Sequence, residues 1–98
     1  MESKETILAK IRNHKSDLNG LGVQQIGLFG SYARDEQTKQ SDIDILIDIF
    51  PEREDFDNYM AICDFLEALF SQQKVDITTK NGLSPYIGPV ILKEVVYA

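Results

Sequence analysis

The stretch "SDIDILIDIFP", Ser41 to Pro51, constrains this chain more than any other. From residue 42 to 49 every second residue is isoleucine. Asp42, Asp44, Leu46 and Asp48 fall on one face of an extended strand, and Ile43, Ile45, Ile47 and Ile49 on the other. A helix would scatter these residues around its axis, so the period of two dictates a strand with one buried face, ended by Pro51. The aspartate face poses a problem. Carboxylates withdrawn from water are costly unless a positive partner meets them, so this face is either solvated or built to meet a cation.

The rest of the chain supplies material to cover such a strand. Ser3 is placed to cap a first helix carrying Ile7, Leu8, Ile11 and Leu18, and "NGLG", Asn19 to Gly22, stops it. Residues 23–29 read as a strand, 31–36 as a short helix and 36–41 as a polar loop. A charged connection then leads to a long helix whose apolar stripe runs through Tyr59, Met60, Ile62, Cys63, Leu66, Leu69 and Phe70. Residues 74–78 form another strand, with Val75 and Ile77 on one face and Asp76 on the other. Breakers at Gly82, Pro85, Gly88 and Pro89 precede "VILKEVVYA", helical at first and frayed or extended at its end. This order predicts an α/β (α+β) fold: a small mixed sheet of about three strands flanked by helices, in a single domain over residues 1–98. Val90, Ile91, Leu92, Val95, Val96 and Tyr97 exceed what one helix face can bury. The tail therefore packs either wholly into its own core or against another chain, as a homo- or hetero-oligomer.

Composition removes several function classes. The net charge of −6 and the lack of any Lys/Arg-rich stripe argue against direct nucleic-acid binding. No stretch approaches the ~20 apolar residues that span a bilayer, and no signal pattern opens the chain, so a cytoplasmic protein without a membrane segment is expected. Cys63 is the sole cysteine and sits in an apolar stripe, where it reads as a small hydrophobe. His14 shares a face with Ile7 and Ile11 and has no second His or Cys beside it, so it reads as a helix residue rather than a ligand.

Asp42 and Asp44 are a different matter. Residues i and i+2 on a strand share a face, about 6.6 Å apart at Cα. Two carboxylates at that spacing repel when bare, but they can converge on hard cations such as Mg²⁺ or Mn²⁺. Asp76 is the best third carboxylate, provided that its strand lies beside residues 42–49. Asp48 reads as a solvated charge at the strand's end. An EF-hand is excluded because Ile47 stands where that loop needs glycine. Gly30 and Ser31 form the other half of the pattern: a turn from an apolar strand into a helix, where free N–H groups, a hydroxyl and an absent Cβ suit a phosphate. Ser31 is equally suited to cap that helix. Neither a Walker P-loop nor a GxGxxG fingerprint is present.

"GSYARDEQTKQSDIDILI", with Gly30-Ser31, ten residues and then Asp42-x-Asp44, resembles the G-S-x10-D-x-D pattern of nucleotidyltransferases with a polymerase-β palm-like core. Above all it resembles the minimal nucleotidyltransferases, the short antitoxin partners of HEPN-domain toxins. The resemblance implies transfer of AMP from ATP to a hydroxyl, a tyrosine of the HEPN toxin, with loss of pyrophosphate. It implies that Asp42, Asp44 and Asp76 hold two Mg²⁺ ions (Mn²⁺ is an alternative), and that Asp76 also serves the acceptor hydroxyl as base. Gly30 and Ser31 would hold the triphosphate. Arg34 reads either as a further phosphate contact or as a surface arginine. Members often carry Gly after the motif's Arg, where this chain has Asp35, a charge that would weaken nucleotide binding if it faced the phosphates. Larger relatives that modify antibiotics use a second, helical domain to bind the acceptor. A minimal domain is expected to take its acceptor from a partner. The alternative is an antitoxin that neutralises its toxin by stoichiometric binding alone.

Overall fold

The computed structural model describes residues 2–98. Strand β2 (Ile43–Ile49) is the axis of the fold. Its isoleucines are all but withdrawn from solvent, at 0% exposure for Ile43, Ile45 and Ile47 and 3% for Ile49. Burying such a side chain contributes about 1.5–3 kcal/mol, enough for one strand face to organise a chain of this size. Strand β1 (Val23–Phe29) pairs antiparallel with β2 and sets Ile26 and Leu28 opposite Ile47 and Ile45, on the same buried face. The other neighbour, β3 (Val75–Thr79), runs parallel to β2 and adds Val75 beside Ile43. A two-residue strand, β4 (Val96–Tyr97), pairs with β1 and completes the order β3-β2-β1-β4. The sheet thus has four strands rather than about three. The extra one is the extended end foreseen in "VILKEVVYA", too short to announce itself as a strand.

Three helices cover the isoleucine face. Helix α1 (Lys4–Asn13) starts at Ser3, whose hydroxyl accepts the Thr6 N–H at 3.1 Å, and buries Ile7, Leu8 and Ile11. It breaks at His14 before α2 (Lys15–Gly20), where one continuous helix was expected. The imidazole Nδ1 lies 2.8 Å from the Lys10 carbonyl and the ring meets Phe65 edge-on, so His14 is the packed helix residue that its position predicts. Gly22, at φ +94°, turns the chain into β1. The long helix α4 (Phe56–Leu69), capped by Asp55, carries the chain across from β2 to its parallel neighbour β3 and buries Ile62 and Leu66, with Phe70 just beyond its end. The Tyr59 hydroxyl donates to the Ile77 carbonyl at 3.2 Å and fastens α4 to β3. Met60 departs from the predicted stripe and stands 40% exposed.

The opposite face is built otherwise. Leu46 is buried there but lies outside the isoleucine core. Its antiparallel partner is Gly27, and a Cβ on Gly27 would come within 2.5 Å of Val95 Cγ2. That glycine is the seat for the C-terminal segment: helix α5 (Gly88–Glu94) buries Ile91, and Val95 follows it onto the sheet. Tyr86, Ile87, Val90 and Leu92 remain exposed. The tail therefore divides its apolar residues between its own fold and the surface. Among the described residues no helix is long and apolar enough to cross a membrane.

Candidate active site

The parallel pairing of β2 with β3 sets Asp44 directly opposite Asp76, and Asp42 precedes β2 by one residue. The provisional condition on Asp76, a strand beside residues 42–49, is met. All three carboxylates are neither buried nor fully exposed. Lys74 shares the face of Asp76 by its two-residue spacing, and its ammonium lies 3.7 Å from Asp42 and 3.8 Å from Asp76. Asp44 receives no ion pair among the described residues. Burial first, then the charges of Asp76, Asp42 and Glu94, push its carboxyl up to about 6, only partly offset by Arg34.

The Gly30-Ser31 turn closes on the same point. After β1 the chain enters helix α3 (Gly30–Ala33) with Gly30 at φ +74°, and a Cβ there would stand 2.1 Å from Asp44 Oδ2. Only glycine combines that backbone with that approach. The turn is anchored from below by Tyr32, which is fully buried and whose hydroxyl accepts a hydrogen bond from Gln73 at the approach to β3. Helix α3 ends earlier than expected, in a Schellman turn. The Glu36 N–H reaches the Ser31 carbonyl at 2.9 Å and the Asp35 N–H reaches that of Tyr32 at 3.3 Å. Asp35 occupies the left-handed position of this turn at φ +58°, the only non-glycine residue to do so among those described. Glycine fills such a position without strain, and aspartate tolerates it better than most residues. Its side chain is exposed.

Ser31 does not cap α3: its side chain makes no hydrogen bond among the described residues. The Gly30 N–H is instead taken by Glu94 Oε2 at 2.7 Å, and the other oxygen of Glu94 accepts from Arg34 Nη1 at 2.5 Å. Burial alone would raise the Glu94 carboxyl, but the bonds from Arg34 and Gly30 outweigh it and hold it below its usual value. Arg34 is further paired with Glu36 at 2.8 Å, and both carboxylates raise its already high value.

An oxygen-only set of three aspartates with surplus negative charge fits a hard divalent cation. The set is not a closed cage: among the described residues no three His, Cys, Asp or Glu side chains are already converged as ligands. The fit rests instead on the donor chemistry, on Asp44 held short of positive charge, and on the Lys74 ammonium lying against the two other carboxylates. Cys63 takes no part. Burial raises its thiol, the direction that disfavours the reactive thiolate.

A family model for the nucleotidyltransferase domain matches residues 8–98. The chain belongs to this family. Its sequence is 40% identical over 98 residues to the protein adenylyltransferase MntA of Thermococcus cleftensis, covering 99% of this chain and 94% of that protein. A solved structure of a candidate minimal nucleotidyltransferase superposes with a TM-score of 0.82 at 28% identity, covering 97% of this chain and 95% of that one. A toxin–antitoxin crystal structure with AMP-PNP shares the fold, with a TM-score of 0.66 at 22% identity over 98% of this chain and 72% of that one. The resemblance to minimal nucleotidyltransferases read from the motif therefore stands.

In this nucleotidyltransferase the neighbours that sequence reasoning missed are Tyr32, Gln73, Lys74 and Glu94. Lys74 was within reach, since it sits two residues before Asp76 in the strand predicted over 74–78. Glu94 carried no local signal. Only the docking of α5 brings it to a turn some 60 residues earlier in the chain.

Proposed function

We propose that this chain is a metal-dependent protein adenylyltransferase that transfers AMP from ATP to a tyrosine hydroxyl of a HEPN-type toxin, and so acts in the cytoplasm as its antitoxin. The observation that carries the reading is the juxtaposition of Asp44 with Asp76 across β2 and β3, against the side-chain-free Gly30. The name of the Thermococcus relative supports the reaction, and the toxin–antitoxin structure with AMP-PNP supports the partner and the nucleotide.

Asp42, Asp44 and Asp76 would hold two Mg²⁺ ions, or Mn²⁺, which when bound neutralise the triphosphate and make an acceptor hydroxyl more acidic. The rest falls to the chain's own groups. The Gly30 N–H and the Ser31 hydroxyl donate to triphosphate oxygens, and Arg34 adds a charge-assisted contact. Asp76 lies on the outermost strand and is half-exposed, so a hydroxyl presented by a second protein can reach it. There it takes the hydroxyl proton as the oxygen attacks the α-phosphorus and pyrophosphate leaves. We read residues 1–98 as one minimal domain of this kind, with Tyr86, Ile87, Val90 and Leu92 offering the partner an apolar surface.

The test uses α-labelled ATP with Mg²⁺, the purified protein and a host-cell lysate, beside Asp44→Asn. Label should reach one protein band and fall by at least about a hundredfold in the variant, which loses a metal ligand. Full labelling by Asp44→Asn would overturn the mechanism. A partner that co-purifies but takes no label would favour neutralisation by stoichiometric binding.

A further inference from the structure

Glu94 holds two of the three donor groups assigned above to the triphosphate. Its Oε2 accepts the Gly30 N–H at 2.7 Å and its Oε1 the Arg34 guanidinium at 2.5 Å. This is not a loose surface pairing. The Glu94 side chain is 19% exposed against 47% for Arg34. Its backbone is fixed from both sides: Ile91 is buried one turn earlier in α5, and Val95 fills the space beside Gly27 one residue later. Beyond that, Val96 pairs with Leu28 in β1. The carboxylate is thus delivered to the turn by the fold and bonded at both oxygens.

A hydrogen-bonded N–H cannot serve a second anion at full strength, and a triphosphate beside Glu94 would meet another negative charge. We propose that Glu94 is a built-in competitor for the triphosphate: it closes the Gly30–Arg34 subsite in the free protein and must swing away before nucleotide binds. The inference rests on the nucleotide reading of that subsite and adds to it the residue that sets affinity. Only the fraction of molecules with Glu94 displaced is competent, so the apparent dissociation constant is the intrinsic one divided by that fraction. Glu94 touches the binding groups rather than the reacting atoms. Its effect therefore falls on binding.

The experiment is calorimetric titration of ATP with Mg²⁺ into the wild type, Glu94→Gln and Glu94→Ala, with the Gly30 amide followed by NMR in the ¹⁵N-labelled proteins. Glu94→Gln keeps the shape of the side chain and guards against a folding defect in the alanine variant. Both variants should bind ATP about fivefold more tightly, the order expected when one charge-assisted competitor is removed from a partly exposed site. Inorganic tripolyphosphate should show the same gain. The Gly30 amide should shift upfield in the free alanine variant, and should reach one common position in all three proteins at saturating ATP. Unchanged or weaker binding in both variants, with ATP still bound by the wild type, would overturn the proposal and make Glu94 a positioning residue for Arg34. In that case the nucleotide site itself would survive. Failure of all three proteins to bind ATP or tripolyphosphate would overturn both readings together.

Discussion

The two faces of β2 are made by alternate residues of one seven-residue strand, yet they follow opposite rules. On one face Ile43, Ile45, Ile47 and Ile49 are sealed under α1, α2 and α4, with every group satisfied by packing. On the other, Asp44 faces Asp76 on the neighbouring strand with no ion pair among the described residues, and its carboxyl is raised to about 6. The first face yields stability and asks for nothing outside the chain. The second stores unfavourable charge that a ligand can relieve. A fold this small can keep such a site because the isoleucine face more than offsets it.

The contrast can be broken from the packed side first. Ile45→Ala removes a fully buried branched chain from the middle of the core and should destabilise the protein by about 3 kcal/mol, measured by urea unfolding at constant m-value. A loss below about 1 kcal/mol would mean that the isoleucine face is not what holds the fold.

The aspartate face should respond in the opposite direction and less strongly. The folded carboxyl of Asp44, at about 6, lies above its usual 3.8, so between those values the folded chain binds the proton more tightly than the unfolded one. Stability of the metal-free protein should therefore fall as pH rises from about 4 to about 6, and stay low above it. Asp44→Asn should gain on the order of 1 kcal/mol at pH 7.5, after discounting for partial solvent exposure, and the gain should vanish near pH 4. Thermal unfolding at the two pH values measures this. Equal melting temperatures at pH 7.5 would show that the face stores no charge penalty.

The smallest effect belongs to Asp48, on the same face but at the far end, opposite the exposed Gln25 and beside the register shift between Val23 and Gln25. Asp48→Asn should change stability by less than about 0.5 kcal/mol and leave nucleotide transfer unaltered. A transfer defect there would extend the functional face along the whole strand.

Much of this was legible in the chain because its signals are local. The two-residue period of 42–49 identified β2 to within one residue, and the spacing of Gly30-Ser31 from Asp42 and Asp44 identified the turn that meets it. Asp76 was legible as a member of an aspartate face, but its position opposite Asp44 required the crossover through α4 to be right-sized and parallel. Glu94 was illegible for a related reason: it acts through tertiary docking, and nothing in "VILKEVVYA" marks that glutamate from any other at a helix end. The break of the first helix at His14 was not legible because local propensity favours continuation there, and Met60 fits the spacing of the stripe whether or not a neighbour covers it.

The contact between Gly30 and Asp44 also has an evolutionary reading. A side chain at position 30 would collide with the Asp44 carboxylate and would need a backbone at φ +74°, so two independent penalties guard the position. They do not lapse together. A lineage drifting away from nucleotide transfer relieves the first penalty once Asp44 shortens or turns aside, but the backbone at φ +74° remains and still favours glycine, asparagine or aspartate. The glycine is therefore expected to outlive the chemistry it once served.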